Sequence, residues 1–177
     1  MSHMRICITA LLLLVSWTSV QAQRIAMIDL KGHPDTLVSR LVLERGFKAL
    51  PNQGAQRVIE GVLNGDSVQI HIYATSVTQR VWKAVVYHRP TQNFKAALRD
   101  LDAKVAKLEG RYGKAVTRTL DKKNKRAQVD WGAMPFFQNL HLVAEVHNGR
   151  QVAVHFILRD EEMKYEEERL INGTPLF

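Results

Sequence analysis

The chain has 177 residues, and its 25 lysines and arginines outnumber its 17 aspartates and glutamates, which gives a formal net charge of +8 at pH 7. With 46% hydrophobic residues, the chain is long enough to bury a substantial core. Because its one cysteine, Cys7, lies near the amino terminus, the rest of the sequence excludes a disulfide framework, a thiolate metal site and a cysteine nucleophile.

The first 22 residues have the pattern of a secretory signal. Arg5 supplies the positive start, residues 6–15 are almost wholly apolar, and Val20-Gln21-Ala22 has the small residues of a cleavage site. The apolar stretch is shorter than the roughly 20 residues that a membrane-spanning helix needs. The sequence therefore predicts an exported protein, periplasmic or secreted after cleavage near Ala22, with no transmembrane anchor in the mature chain.

Hydrophobic periodicity predicts a short strand, a helix and four further strands before Pro90. The short strand covers residues 25–30. The helix begins at Pro34 with Asp35 or Thr36 as its cap, and Gly46 ends it. Turn residues, of which Asn64-Gly65 is the clearest pair, separate the next strands. These four strands are predicted at residues 48–50, 56–63, 68–75 and 81–89.

A second helix is predicted at residues 91–112, with Gly113 as its stop. Four more strands follow at residues 115–120, 127–131, 140–147 and 151–159. The remainder, residues 161–177, is a polar tail or a short helix. Residues 45–50 and 111–116 end the two helices with Arg, Lys and Ala in register, which indicates an internal repeat.

The repeat predicts an α+β fold. We expect two tandem duplicated units over residues 23–90 and 91–160, each a helix with a four-stranded antiparallel sheet. The helices are expected to pack on one sheet face.

Alternation along the strands divides the predicted sheets into two faces. One face is aliphatic and is expected to cover the helices. Its residues are Val68, Ile70, Ile72, Ala74, Leu140, Leu142, Ala144 and Val146. The other face carries aromatic and branched side chains that are unusual for solvent exposure alone, so it is either covered by other parts of the chain or binds a partner. The residues proposed to bind a protein or peptide there are His71, Tyr73, Val85, Tyr87, Val143 and Ile157.

Motifs that carry chemistry are sparse. The sequence has no phosphate loop, dinucleotide fingerprint or nucleophile elbow, so we expect no cofactor. Glu60 and Asp130 occupy related places in the two halves. Shared ancestry of the halves explains this placement most simply, and an acid and base pair is the alternative. A metal-dependent hydrolase is an alternative, with a metal held by three side chains of one predicted face. These side chains are His141, His155 and Glu145.

Basic residues are concentrated between Arg111 and Arg126. Nucleic acid is not an expected partner, because the protein is predicted to be exported and no aromatic residue interleaves the basic ones between Arg118 and Arg126 to stack on bases. An anionic envelope surface is a better match, which leaves an envelope-associated structural protein as a further alternative. The residues proposed for that contact are Lys122, Lys123, Lys125 and Arg126.

Five short motifs are spread over most of the chain beyond the signal. They are Leu30-Lys31-Gly32-His33-Pro34, Glu44-Arg45-Gly46-Phe47, Glu60-Gly61, Val81-Trp82-Lys83-Ala84-Val85 and Gly110-Arg111-Tyr112-Gly113-Lys114. Together they resemble a set of small exported proteins of unknown function from gut-type Gram-negative bacteria. This resemblance implies secretion and a shared fold, without an activity.

The repeated layout of one helix and four strands also resembles β-lactamase inhibitor protein-like tandem repeats, in which a concave sheet grips a partner. That resemblance implies protein binding. The sequence as a whole therefore predicts a non-catalytic exported binding module that uses an exposed sheet face.

Overall fold

The computed structural model describes residues 28–134, 138–147 and 151–172. These residues form three helices, α1 (Pro34–Arg45), α2 (Phe94–Tyr112) and α3 (Glu161–Ile171). They also form eight strands, β1 (Lys48–Gln53), β2 (Gln56–Leu63), β3 (Asp66–Ala74), β4 (Val81–His88), β5 (Thr117–Asp121), β6 (Arg126–Met134), β7 (Gln138–His147) and β8 (Gln151–Asp160). The predicted signal, residues 1–22, lies outside the described residues. The strand predicted at residues 25–30 is wrong for residues 28–30, which form no strand.

The eight strands pair antiparallel in one sheet, in the order β1-β2-β3-β4-β8-β7-β6-β5. Strands β4 and β8 join its two halves, from Lys83 opposite Arg159 to Tyr87 opposite His155. The α+β class is confirmed, but the prediction of two tandem duplicated four-stranded units is wrong, because a single eight-stranded sheet takes their place. Separate sheets would leave the apolar strands β4 and β8 as open edges, and their pairing satisfies the backbone groups of both.

Helices α1 and α2 supply the apolar side chains that cover one face of this sheet. Leu37 and Leu41 of α1 and Leu101 of α2 are buried in one hydrophobic cluster with the sheet. That cluster also contains six of the eight side chains predicted to cover the helices, namely Val68, Ile70, Ile72, Leu140, Leu142 and Ala144. The predicted assignment of faces is confirmed for these six. Ala74 is only half-buried and Val146 is exposed, because both lie at the ends of their strands.

The ends of the helices follow local side-chain chemistry. His33, and not Asp35 or Thr36, caps α1, since its ring Nδ1 accepts a hydrogen bond from the backbone N–H of Asp35 at 3.3 Å. Gly46 ends α1 as predicted, with a φ of 67° that a glycine adopts without steric cost. Asn93 caps α2 by accepting a hydrogen bond from the N–H of Ala96 at 2.8 Å.

Helix α3 begins where β8 ends and lies against the start of β4. Asp160 caps it by accepting a hydrogen bond from the N–H of Met163 at 3.0 Å. One turn later, the buried carboxylate of Glu167 accepts hydrogen bonds from the loop between β3 and β4, which fastens the helix to that end of the sheet. None of the helices within the described ranges is long and apolar enough to span a membrane.

Candidate recognition face

The sheet face opposite α1 and α2, called here the open face, carries two rows of side chains in register across seven strands. The first row is Val58, His71, Val85, Ile157, His141, Asp130 and Thr117. The second row is Glu60, Gln69, Tyr87, His155, Val143, Gln128 and Thr119. Side chains directly opposite each other on one sheet face are in contact range. The pairing of β4 with β8 therefore makes each row continuous from one half of the chain to the other.

All six residues predicted to bind a partner lie on the open face. His71, Val85 and Ile157 stand in the first row, Tyr87 and Val143 stand in the second, and Tyr73 follows His71 by two positions on β3. Val85 is only 3% exposed and Val143 only 1%, so both support the face without offering a contact surface. The other four are partly exposed. Their role in binding stays a prediction.

Three rings form a cluster near the middle of the open face. The ring of Tyr87 meets His71 edge-on at 4.9 Å between centroids and lies 5.2 Å from the ring of His155. Nε2 of His71 lies 2.8 Å from Oε1 of Gln69, and Nε2 of His155 lies 3.5 Å from Oε1 of Glu145. Burial lowers the pKa of His71 and raises the pKa of Tyr87, so both side chains are neutral at pH 7.

A cleft of about 730 Å³ opens beside this cluster, at the ends of β2 and β4 and the start of β3. Its volume is in the range of pockets that take small ligands or single anchoring side chains. His71 and Tyr87 belong both to the open face and to the wall of the cleft, and Arg89 is exposed at its rim. His88 also lines the cleft. It is 7% exposed, and neither of its ring nitrogens hydrogen-bonds to a described residue.

A second polar network lies at the opposite half of the first row. Nδ1 of His141 is hydrogen-bonded to the carboxylate of Asp130, which also accepts hydrogen bonds from Gln128 at 2.9 Å and Thr117 at 2.8 Å. Burial alone would raise the pKa of Asp130, but these hydrogen bonds lower it below its ordinary value. Nε2 of His141 accepts a hydrogen bond from Nε of Arg159 at 3.1 Å. Both ring nitrogens of His141 are thus occupied within the protein.

The three side chains of the alternative metal site do not converge. Register places His141 and His155 diagonally on the open face, as the predicted hairpin required. Glu145, however, lies beside His155, while His141 is held between Asp130 and a guanidinium. Among the described residues no group of three or more histidine, cysteine, aspartate or glutamate side chains could hold a metal ion.

Glu60 and Asp130 are also far apart. They lie on β2 and β6, which are separated by five strand spacings in the sheet. At about 4.8 Å for each spacing, the two carboxylates are roughly 24 Å apart. They cannot act on the same bond as an acid and base pair.

The basic residues proposed for an anionic surface lie on the hairpin that joins β5 to β6 at one edge of the sheet. Lys122, Lys123 and Lys125 are exposed in its turn. The turn is stabilised by Asp121, which accepts a hydrogen bond from the N–H of Asn124 at 3.0 Å. Arg126 differs from the lysines, because its Nε lies 3.6 Å from the carboxylate of Glu145 within the protein.

Sequence reasoning missed two features near the open face. Lys83 and Arg159 stand directly opposite each other where β4 meets β8, and only knowledge of that pairing shows it. His88 is buried at the end of β4, two residues before Pro90, and a position at the end of a strand predicts a boundary and not burial. No sequence motif marks either feature.

This protein has an α+β fold. Two helices cover one face of its eight-stranded antiparallel sheet, and the open face carries polar and aromatic side chains. No family model, curated protein or solved structure matches the chain. The resemblances to small exported bacterial proteins and to β-lactamase inhibitor protein-like repeats therefore stay predictions.

Proposed function

We propose that this protein is a non-catalytic binding module that recognises a protein or peptide through the open face. The observation that carries the proposal is the placement of the paired rings of His71 and Tyr87. They are partly exposed on the open face and also form a wall of the adjoining cleft. A partner lying along the face could therefore insert one anchoring side chain beside them.

The chemistry of these rings supports recognition of a partner. Tyrosine offers a large contact area with little conformational freedom to lose and is enriched among residues that dominate binding energy. His71 and Tyr87 are neutral at pH 7, so a partner can cover them without removing a charge from water. Val85 and Val143 beneath the surface keep the platform rigid.

The hydrogen bonds of His141 support a non-catalytic role, because histidine is the side chain that most often acts as a general acid or base near neutral pH. A general base needs a nitrogen or oxygen within reach of the proton that it abstracts. In His141 one ring nitrogen faces Asp130 and the other faces Arg159. The network instead links β5, β6, β7 and β8, which holds that part of the open face in register.

Site-specific crosslinking tests the proposal. A photoreactive phenylalanine analogue replaces Tyr73 or Tyr87, and in a matched control it replaces Tyr165, which is 62% exposed on α3. We expect positions 73 and 87 to crosslink to the same partner in cells that make the protein, and position 165 to give no such product. The captured partner is then purified for affinity measurements.

With the purified partner, Tyr87→Ala should weaken affinity at least tenfold, because truncating a central aromatic residue typically costs 2 kcal/mol or more. Tyr165→Ala should leave the affinity within twofold of the unaltered protein. Equal affinities for the two variants, or a partner captured only through position 165, would refute recognition through the open face.

Contact with an anionic envelope surface is a second role, supported by the exposure of Lys122, Lys123 and Lys125 in one turn. Vesicles of mixed neutral and anionic phospholipids should bind the protein at low salt and release it as salt rises. Replacing the three lysines with glutamine should abolish binding. Binding that is insensitive to both salt and these substitutions would contradict the role.

We also infer that the module acts outside the cytoplasm, since residues 1–22 have the pattern of a secretory signal. The amino-terminal sequence of the protein recovered from cell fractions tests this inference. Export with cleavage near Ala22 predicts a periplasmic or secreted form that begins at Gln23.

A further inference from the structure

We infer that the end of the open face nearest α3 contains an oxyanion-binding site formed by Lys83, Arg159 and Lys164. Its ligand would be a carboxylate or phosphate group. This site does not depend on the proposed recognition of a protein or peptide, because its three cations are not among the residues proposed for that recognition and it can be tested with small anions.

The first observation is an unfavourable pairing in the sheet. Lys83 of β4 lies directly opposite Arg159 of β8, in the same register that places Tyr87 opposite His155. Like charges directly opposite each other in a sheet destabilise it. Because both side chains are only partly exposed, water screens their repulsion less than it would at a fully exposed position.

The second observation is that α3 brings a third cation to the Trp82 ring, near enough for its charge to act on Lys83. Nζ of Lys164 lies 5.6 Å from the centre of the Trp82 ring, and Nζ of Lys83 lies 5.8 Å from that centre. The same Nζ of Lys83 lies 4.9 Å from the centre of the Tyr73 ring. Cation–π contacts of this kind hold an ammonium group in place without neutralising its charge.

The third observation concerns how far nearby carboxylates neutralise the three cations. Arg159 pairs with Glu161 at 2.7 Å, and Lys164 pairs with Glu168 at 3.4 Å. For Lys83 the structure shows no carboxylate partner among the described residues, and the cation–π contacts are its neighbours instead. Burial lowers the pKa of Lys83, and the charges of Arg159 and Lys164 lower it further against the opposing effect of Glu161. The cluster thus has surplus positive charge.

An oxyanion relieves this surplus. A group bound at Lys83 would interact favourably with all three cations, and the ammonium groups and the guanidinium are the usual ligands of phosphate and carboxylate. The rings of Tyr73 and Trp82 both contact the ammonium group of Lys83, so the site is partly organised before the anion binds. These features distinguish it from the exposed lysines of the β5–β6 turn.

The test is an NMR titration of the whole protein at low ionic strength and pH 7, with inorganic phosphate in one arm and succinate in the other. We expect saturable shifts of the backbone amides of Lys83, Arg159 and Lys164 and of the Trp82 indole N–H. Tighter binding of phosphate would assign the ligand as a phosphate group, and tighter binding of succinate would assign it as a carboxylate.

Matched variants complete the test. Lys83→Gln should weaken binding about tenfold, which corresponds to about 1.4 kcal/mol, whereas Lys83→Arg should retain it. Lys95→Gln removes the same charge at an exposed position near the start of α2 and should change binding less than twofold. Shifts that stay linear with anion concentration, or equal weakening by Lys83→Gln and Lys95→Gln, would overturn the site, since they indicate only general attraction to a basic protein.

Discussion

Each end of β4 adjoins a buried ionisable side chain. One of these two side chains is charged at pH 7 and the other is neutral. Near the start of β4, Glu167 of α3 is 6% exposed, and its carboxylate accepts hydrogen bonds from the loop that precedes the strand. At the other end, His88 is 7% exposed and has no hydrogen bond to a described residue. Burial would raise the pKa of Glu167, but its hydrogen bonds lower it to about 2. Burial and nearby Lys104 lower the pKa of His88 to about 4.

Both side chains are buried, but only Glu167 is hydrogen-bonded to described residues. Hydrogen bonding therefore determines which of the two side chains is ionised at pH 7. Glu167 is charged at pH 7, and His88 is neutral. Each therefore responds to acid in its own range. The stabilisation from Glu167 is complete above its ordinary pKa of 4.5 and is lost as pH falls towards 2. His88 responds in a higher pH range than Glu167. As pH falls from 6.5 towards 4, the unfolded chain binds a proton that the buried ring does not, so the fold loses stability.

The largest expected effect comes from Glu167→Gln. The fall in pKa from 4.5 to about 2 corresponds to about 3 kcal/mol of stability at pH 7. The substitution removes the charge that accepts hydrogen bonds from Ser76 Oγ at 2.7 Å and the Val77 N–H at 2.8 Å. We expect the free energy of unfolding, measured in urea at pH 7, to fall by about that amount.

The neighbouring Glu166 offers a matched control, because it is exposed on the same helix. Glu166→Gln should change the free energy of unfolding by less than about 0.5 kcal/mol, as is usual for surface substitutions. Similar losses in the two variants would show that the charge of α3, and not the hydrogen bonds of Glu167, stabilises the fold.

His88→Leu tests the other end of β4. In the unaltered protein, a His88 pKa of about 4 should remove about 2 kcal/mol of stability between pH 7 and pH 4.5, since the unfolded chain titrates near 6.5. The variant lacks this titration, so its stability should fall less over the same range. Urea unfolding at the two pH values measures the difference.

An NMR titration of the His88 ring gives a direct control on that interpretation. The ring protons should shift with a midpoint near pH 4 while the protein stays folded. A midpoint near the ordinary value of 6.5 would mean that the ring is hydrated or hydrogen-bonded in solution. The contrast between the two ends of β4 would then be lost.

Much of this fold follows from periodicity along the chain. The helical spacing of residues such as Leu101 and Val105 and the alternation of residues such as Ile70 and Ile72 predicted α2 and the covered face of β3. The pairing of β4 with β8 could not be predicted in this way, because periodicity says which face a side chain occupies but not which strand lies beside it. The internal repeat predicted two four-stranded units in tandem, and it carried no information on the pairing of β4 with β8 that makes one eight-stranded sheet.

The same distinction applies to the candidate site. The sheet face of a residue could be predicted, whereas its neighbours on other strands could not. Alternation placed His71, Tyr73 and Tyr87 on one face, since a strand side chain has only two directions to take. The partners of His141 depend on register across three strands, and a β-bulge in β6 shifts that register beyond Asp130. The buried position of Glu167 was also unpredictable, because α3 is polar on nearly every face and a loop distant in sequence satisfies the carboxylate.

The smallest expected effect comes from Asp66→Asn. This substitution tests how nearby charges, separately from burial, set the pKa of His88. Oδ2 of Asp66 lies 3.4 Å from Nδ1 of His88 and 3.1 Å from Nζ of Lys104. Asp66 favours the protonated ring and Lys104 opposes it. Asp66→Asn removes the favourable charge, while Asp100 still holds Lys104 at 2.8 Å. The pKa of His88 should therefore fall further below 4, by a fraction of a unit.

The NMR midpoint of the His88 ring in the two proteins measures this shift, and added salt should reduce it because Asp66 is more than half exposed. Stability at pH 7 should change by less than about 0.5 kcal/mol, since a neutral ring gains little from the carboxylate and Lys104 keeps its ion pair with Asp100. A higher midpoint in Asp66→Asn would contradict the balance of charges. It would mean that Asp66 acts mainly by holding Lys104 near the ring, so that position of the cation, and not desolvation alone, keeps His88 neutral.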